Sequence, residues 1–368
     1  MNAVSGKRYF PGLSGMRAIA ALTVLFTHVE RIRQPMGMKP FIDLAVNSYI
    51  GGVAVTFFFV LSGFLITSLL LDEKARLGTI RLKRFFVNRA LRIWPLYYLT
   101  LFAGYMVSIL LLKETSSDMW ENGLILNFLL LPNVAFAMGL LPEILIQIWS
   151  IGTEEQFYFL WPFLVRRLGA KPLIRVFIGV ILFWLVARGM IRLIYGAHSP
   201  LNIFLFRTRI DCMAIGGLAA MLFFHAPGGW ASSLHRLLLK PITGWALAMA
   251  FILLLSASYR YEVSFYQLYA LLFAMLILRV IRRPGGWLES PPLRYLGKIS
   301  YGIYLLQQFA VFFIFRAGLS KENGFLSSIP MDSRPAGIAL FLLAALMTIG
   351  LASLSYRFFE SRFLKRKF

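Results

Sequence analysis

Long, continuously apolar stretches recur along the whole chain and constrain its fold more than any other feature. Runs such as ALTVLFTHV and IALFLLAALMTIGLASL do not alternate between apolar and polar residues, as a half-buried strand or a strand of a transmembrane barrel would. Stretches of about 17 to 25 apolar residues are long enough to cross a hydrocarbon core as helices. With 59% hydrophobic and 15% charged residues, the 368-residue chain is too apolar for a soluble domain. The sequence therefore predicts an all-α, polytopic membrane helical bundle.

The charge balance predicts how this bundle lies in the membrane. Ten predicted spans cover residues 11–33, 50–71, 93–112, 143–165, 172–194, 202–225, 241–257, 263–281, 294–315 and 336–356. Cytoplasmic loops concentrate Lys and Arg, and this arrangement puts 25 of the 38 basic residues inside and 8 outside. An eleventh span would invert the bias over the carboxyl half. We therefore expect about ten transmembrane helices with cytoplasmic amino and carboxyl termini. This distribution explains the excess of basic residues without a nucleic-acid partner.

Two segments outside these spans carry their own predictions. Residues 122–141 are apolar but are interrupted by prolines and glycine, which predicts a re-entrant or short segment. The basic stretch over residues 80–92 resembles an amphipathic helix on the cytoplasmic surface. Since no loop is long enough for an appended soluble domain, residues 1–368 are predicted to form a single transmembrane domain of a multi-pass protein.

Ionisable residues within spans are costly and mark candidate sites. Arg17 and His28 are 11 residues apart in the first span, which places them on one helical face about 16 Å apart along the axis. With the amino terminus inside, Arg17 lies near the cytoplasmic surface and His28 lies deeper. This suits a long anionic ligand whose reactive end reaches the histidine. The alternative is a snorkelling arginine and a hydrogen-bonded structural histidine.

The fourth span carries Glu154 and Glu155 near its middle, where a carboxylate needs a partner or a water-filled cavity. A carboxylate that accepts a histidine N–H would fix the tautomer of the ring and stabilise an imidazolium. The alternative is an ion pair with Arg207 or Arg209. Tyr158 shares a face with Glu154, since it lies four residues further on.

Two more groups of charges are candidates for ligand contacts. Arg209 and Asp211 lie at the start of the sixth span and could bind a polar acceptor or form a structural network. Arg89 and Arg92 share one helical face near the cytoplasmic surface, which suits phosphate contacts, although cytoplasmic loops are basic in any case. With four histidines and one cysteine, no metal-ligand cluster is predicted, and nucleotide-binding and GxSxG motifs are missing from the sequence.

Six sequence motifs resemble, in order and over nearly the full chain, those of membrane-bound acyltransferase family 3, the bacterial integral-membrane O-acyltransferases. They are LSGMRAIAALTVLFTH, FFFVLSGFLI, FFVNRALRIWPLY, WSIGTEEQFYFLWP, LGKISYGIYLL and SYRFFE. The first contains the family's Arg-x10-His pattern as Arg17 and His28. Two positions depart from the family: Thr56 stands where Asp is common, and Gln307 stands where His is common. Neither position is therefore expected to supply charge or proton transfer.

The resemblance implies acetyl-CoA or another acyl-CoA as a cytosolic donor. It also implies transfer of the acyl group to a hydroxyl of a cell-surface glycan or its lipid-linked precursor at the cytoplasmic (inner) membrane of a bacterium. The expected partners are membrane lipid, acyl-CoA and the glycan acceptor, with no metal and no nucleic acid. Some relatives carry an extracytoplasmic esterase-like domain. This chain is not expected to contain one, so it acts alone or passes acyl groups to a separate partner.

These arguments assign a role to each candidate residue. The predicted groups are catalytic His28, Glu154 and Glu155, donor-binding Arg17, Arg89 and Arg92, and acceptor-binding Arg209, Asp211 and Tyr158. His28 is expected to act as general base or as an acyl relay, and Glu154 to orient it. A proton-coupled transporter or flippase is the alternative function, because buried Arg, Glu and His also mark proton pathways.

Overall fold

The computed structural model is built mainly from α-helices. It describes residues 9–33, 38, 41–114, 116–224, 230–261, 263, 265–282, 285–318 and 334–366. The long helices are α1 (Leu13–Arg33), α2 (Leu44–Leu77), α3 (Leu82–Val107), α6 (Trp149–Arg167), α7 (Ala170–Tyr195), α11 (Pro241–Tyr261) and α15 (Arg334–Ser355). The shorter ones are α4 (Leu124–Phe128), α5 (Pro132–Ala137), α8 (Pro200–Arg207), α9 (Ile210–Phe224), α10 (Trp230–Leu239), α12 (Tyr266–Val280), α13 (Pro291–Lys298), α14 (Ser300–Phe312) and α16 (Ser361–Leu364).

Several helices are long and apolar enough to cross a membrane. Within the described part of the chain there are five: Val46–Leu77, Leu82–Leu112, Ala170–Tyr195, Pro241–Tyr261 and Pro335–Leu364. A sixth arises if α13 and α14, which meet at an angle of 73°, form one broken span. The all-helical, multi-pass prediction is therefore confirmed. The number of ten spans stays a prediction, because α1 and α6 carry several charged residues and α12 has only 15 residues. The cytoplasmic position of the termini also stays a prediction.

Burial separates a central helix from the helices that face lipid. In α2, 78% of the most apolar window is buried inside the protein, whereas the corresponding values are 11% in α7 and 6% in α11. Lipid is as apolar as these exposed side chains, so a helix at the bundle surface stays hydrophobic all round. The core thus forms around α2, which packs along α1, α9, α12 and α6.

Glycines bring α2 and α9 into backbone contact. A Cβ atom on Gly63 would lie 1.9 Å from the carbonyl oxygen of Met213, and one on Gly216 would lie 2.0 Å from the carbonyl oxygen of Val60. Small residues at helix interfaces permit such close approach in membrane proteins. The adjacent Gly217 faces the ring of Phe177 on α7. The glycine pair in the sixth predicted span therefore serves two helix contacts.

The structure describes both segments that lie outside the predicted spans. The stretch around residues 122–141 consists of a π-helical turn, Met119–Gly123, followed by the short helices α4 and α5. The basic residues 80–92 do not form a helix of their own. They begin α3, which continues to Val107 with Pro95 inside it. The Tyr301 hydroxyl of α14 donates to the backbone carbonyl of Ile93, two residues before this proline, at 2.8 Å and so joins α14 to α3.

Candidate active site

One cavity gathers three of the predicted arginines at one end of the bundle. We call it the arginine cavity, and its polar lining residues are Arg17, Ser62, Arg89, Arg92, Ser150, Glu154, Tyr158, Ser300, Tyr301 and Tyr304. The remaining walls are apolar side chains of α2, α3 and α6. Its empty volume, including the open mouth, is about 870 Å³. The three donor-binding candidates and Glu154 thus come from three different helices, α1, α3 and α6, to one place.

A chain of short hydrogen bonds orders the floor of the arginine cavity. The Tyr158 hydroxyl donates to Oε2 of Glu154 at 2.7 Å, and Oγ of Ser62 lies 2.7 Å from the same hydroxyl. The guanidinium of Arg89 lies over the Tyr158 ring, 5.3 Å from its centre. Glu154 is the one carboxylate among the lining residues, against three guanidinium groups. The cavity therefore carries an excess of positive charge that suits a phosphate-bearing ligand.

A second cavity lies towards the other end of α1 and surrounds His28. We call it the histidine cavity, and its polar lining residues are Thr27, His28, Arg31, Asn47, Ser48, Gln147, Arg207 and Tyr304. Arg207 lies over two aromatic rings, with its guanidinium carbon 4.7 Å from the centre of Phe136 and 5.2 Å from that of Trp149. His28 and Arg31 also line an adjoining outer recess that contains Glu143 and Gln308.

Tyr304 separates the two cavities. Its side chain and that of Val55 line both of them. The Tyr304 hydroxyl donates to the backbone carbonyl of Gln147 at 2.9 Å and lies 2.8 Å from Oγ of Ser150. These contacts tie α14 to α6 at the boundary. A ligand that extended from the arginines to His28 would have to pass this tyrosine.

The comparison with known proteins identifies the family. The acyltransferase 3 model, described as an acyltransferase domain, matches residues 10–357. The chain belongs to the acyltransferase 3 family. It is 29% identical to a provisionally named O-acetyltransferase of Staphylococcus aureus strain COL, over 97% of this chain and 58% of that protein. The Listeria monocytogenes peptidoglycan O-acetyltransferase OatA is 26% identical, over 98% of this chain and 57% of that protein.

A third relative extends the same likeness. The O-acetyltransferase OatA of Staphylococcus aureus strain NCTC 8325 is 26% identical, over 98% of this chain and 58% of its own length. The chain thus spans less than three-fifths of the length of these curated relatives. No solved structure matches it.

Against this family background, the structure separates Glu154 from His28. Glu154 bonds to Tyr158 in the arginine cavity, whereas the side-chain amide of Gln307 faces the imidazole of His28. Nε2 of Gln307 donates to the Tyr304 carbonyl at 3.0 Å. Nδ1 of His28 is buried and has no hydrogen-bond partner in the described part of the chain. The predicted pairing of Glu154 with His28 is therefore not seen, and an amide from α14 takes the place beside the ring.

Glu155 and Glu154 face different cavities, since consecutive helical residues point about 100° apart. Oε2 of Glu155 accepts a hydrogen bond from Nε1 of Trp94 at 3.0 Å. Glu155 lines an outer groove with aromatic and aliphatic side chains of α3, α6 and the turn that precedes α5. Arg89 and Tyr158 line this groove as well as the arginine cavity. Glu155 thus lies on the outer side of the arginine cavity and does not line the histidine cavity.

Two predicted acceptor-binding residues belong to a buried network outside both cavities. Asp211 accepts two hydrogen bonds from Arg188, each 2.9 Å long, and one from Gln267 at 2.8 Å. Arg209 donates to the Gly52 carbonyl at 2.7 Å and to the Thr56 hydroxyl at 2.8 Å. The structural network that the sequence left open as an alternative is therefore the arrangement observed. Thr56, which departs from the family pattern, supplies a neutral acceptor for Arg209.

Sequence reasoning assigned no role to several residues that line the cavities. Arg31 has no predicted role, although it lies three residues after His28 and so shares its face. Arg207 was treated only as a possible ion-pair partner of Glu154. Tyr304 lies within a recognised motif, but nothing in its spacing reveals a position between two cavities. In the described residues, no three His, Cys, Asp or Glu side chains are grouped as a metal site requires.

Proposed function

We propose that this protein is a membrane O-acyltransferase. It moves an acetyl or other short acyl group from acyl-CoA to a hydroxyl of a cell-surface glycan or its lipid-linked precursor, at the cytoplasmic (inner) membrane. The observation that carries the proposal is the pair of cavities that meet at Tyr304, one rich in arginine and the other containing His28. Family membership and the O-acetyltransferase names of the relatives support the reaction class.

In this proposal the arginine cavity receives the donor. Arg17, Arg89 and Arg92 bind phosphate oxygens of acyl-CoA through charge-assisted hydrogen bonds. The Tyr158 hydroxyl donates to Glu154 and contacts Ser62, which fixes the position of the one carboxylate that lines the cavity. Lys74 near the end of α2 donates to the backbone carbonyls of Val165 and Leu168 at the end of α6, so these two helix ends lie together. Their basic residues, Lys74, Arg76, Arg166 and Arg167, support a cytosolic entrance at this end.

The histidine cavity receives the acceptor, and His28 acts as general base. The acceptor hydroxyl gives its proton to the imidazole while its oxygen bonds to the thioester carbonyl carbon. The carbon–sulfur bond then breaks, CoA leaves as a thiolate, and the imidazolium returns the proton to the sulfur. Proton transfer of this kind contributes about 10² to 10⁴ in rate. An acyl-histidine relay uses the same residues, with the imidazole nitrogen as first nucleophile.

Labelled acetyl-CoA, added only to the cytosolic face of membrane vesicles, tests the proposal. Vesicles contain the wild type, His28→Ala, or His198→Ala as a matched control in an exposed turn. We expect label in glycan or lipid-linked sugar with the wild type and the control, and a loss of at least about 100-fold with His28→Ala. Full transfer by His28→Ala at equal abundance would refute the role of His28. No CoA-dependent label with an acceptor pool present would favour a transporter or flippase.

A further inference from the structure

The histidine cavity carries positive charge without a matching carboxylate. Arg31 and Arg207 line it, and no Asp or Glu does so among the described residues. Neither arginine forms an ion pair within 4.0 Å in that part of the chain. Glu30, on the same helix, bonds instead to Arg33 and to the backbone N–H of Phe41. Two guanidinium groups therefore remain available beside His28.

The same cavity contains two buried amide side chains with unused oxygen atoms. Asn47 is 2% exposed and Gln147 is 1% exposed. Their nitrogen atoms donate to backbone carbonyls, Asn47 to Thr27 at 2.9 Å and Gln147 to Leu305 at 2.8 Å. Oδ1 of Asn47 and Oε1 of Gln147 have no partner in the described structure. A buried acceptor left without a donor is costly, so both oxygens suit a ligand that brings hydroxyl groups.

Guanidinium donors and amide acceptors in one cavity define a chemical class of ligand. We propose that the histidine cavity selects an acceptor sugar with a negatively charged group, a carboxylate or a phosphate, close to the hydroxyl that is acylated. Arg31 and Arg207 bind the anionic group, and Asn47 and Gln147 accept hydrogen bonds from sugar hydroxyls. This inference rests on the proposed function and adds the charge of the acceptor to it. It also moves the acceptor site from Arg209 and Asp211 to side chains of α1, α2, α8 and the 3-10 turn Glu143–Ile148 that precedes α6.

Three soluble sugars test the charge requirement with the purified full chain in nanodiscs and saturating acetyl-CoA. N-acetylglucosamine is the neutral probe, N-acetylmuramic acid adds a carboxylate, and N-acetylglucosamine 1-phosphate adds a phosphate. We expect the wild type to show a KM at least about 10-fold lower for an anionic sugar than for the neutral one, as a charge-assisted hydrogen bond would provide. The two anionic probes distinguish a carboxylate from a phosphate.

Arginine variants show whether this preference arises in the cavity. Arg31→Gln and Arg207→Gln should raise the KM for the preferred anionic sugar more than the KM for N-acetylglucosamine, so that the ratio of the two KM values falls towards one. Arg207→Lys should keep part of the preference. Arg192→Gln, an exposed arginine near the end of α7, is the matched control. Arg207 packs on two aromatic rings, so thermal unfolding is used to check that its variants remain folded. Arg31 is exposed, so Arg31→Gln tests the charge requirement without this risk to stability.

Two results would overturn the inference. One is an equal KM for all three sugars in the wild type, and the other is an anionic preference that survives in both glutamine variants. A lack of His28-dependent transfer to any sugar would instead count against the proposed function. In that case the rise in unfolding temperature caused by each sugar alone still measures charge selectivity. A rise with the anionic sugars that Arg31→Gln abolishes would support the inference, and equal shifts would refute it.

Discussion

Alanine at position 63 tests the backbone contact between α2 and α9. The Cβ of this residue would lie 1.9 Å from the Met213 carbonyl oxygen, and ordinary contact begins at 3.4 Å, so the helices must separate by the difference of 1.5 Å. Overpacking costs about 1 to 3 kcal/mol, and we expect the upper value because a backbone carbonyl has no rotamer to change. At about 2 °C per kcal/mol, Gly63→Ala should lower the midpoint of thermal unfolding by about 6 °C.

The matched control is Gly350→Ala, because nothing lies within 4 Å of a Cβ at this position of α15. Its midpoint should stay equal to the wild type or rise, since alanine restricts the unfolded chain. Tryptophan fluorescence of the protein in detergent, with gel filtration at each temperature, measures both variants. Ser62 is the neighbour of Gly63, so weaker acyl-CoA binding should accompany the loss of stability. Equal midpoints for the two variants would refute the close approach.

Three further substitutions separate binding, stability and catalysis. Arg89→Gln should raise the KM for acetyl-CoA about 10-fold or more through a lost charge-assisted contact; initial rates with acetyl-pantetheine, which lacks the phosphates, should not change. Arg188→Met leaves Asp211 buried and unpaired, which should cost about 3 to 5 kcal/mol in unfolding free energy, and adding Asp211→Leu should recover most of the loss in thermal unfolding. Gln307→Leu should lower kcat about 10-fold at unchanged KM for acetyl-CoA, because the imidazole of His28 loses the amide that faces it; an unchanged kcat would show that this amide has no part in the reaction.

That Arg17, Arg89 and Arg92 lie close together could be predicted from the sequence, because this depends on their positions along the helices and on their depth in the membrane. Arg17 lies near the start of the first span, and Arg89 and Arg92 lie before the third, so one membrane surface collects all three. The helical pattern also indicated that Arg17 and His28 share a face. Depth along a helix follows from residue number at 1.5 Å per residue. The structure accordingly places these two residues in cavities at different levels of the bundle.

Pairing between helices could not be predicted in the same way. A helical pattern gives the direction of a side chain around its own axis, but not which neighbouring helix it meets. Asp211 was expected to contact an acceptor, yet Arg188 on α7 binds it with both terminal nitrogens. Glu154 was expected beside His28, yet its partner is Tyr158, one turn along the same helix. Contacts between helices, such as that of Asp211 with Arg188, depend on how the helices rotate against each other, which close approaches such as that at Gly63 decide. The contact of Glu154 with Tyr158 lies within one helix, and the four-residue spacing already places these two side chains on one face.

The boundary at Tyr304 and Val55 also has an electrical consequence. When water and ions fill both cavities, the voltage of an energised membrane falls mainly across the layer between them. The same two side chains line both cavities, so this layer is thinner than the roughly 30 Å of hydrocarbon in a uniform bilayer. A unit charge that crosses it exchanges about 2.3 kcal/mol per 100 mV. In the proposed reaction, negative charge develops on sulfur at this layer, so the polarity of the membrane voltage contributes to the rate of transfer.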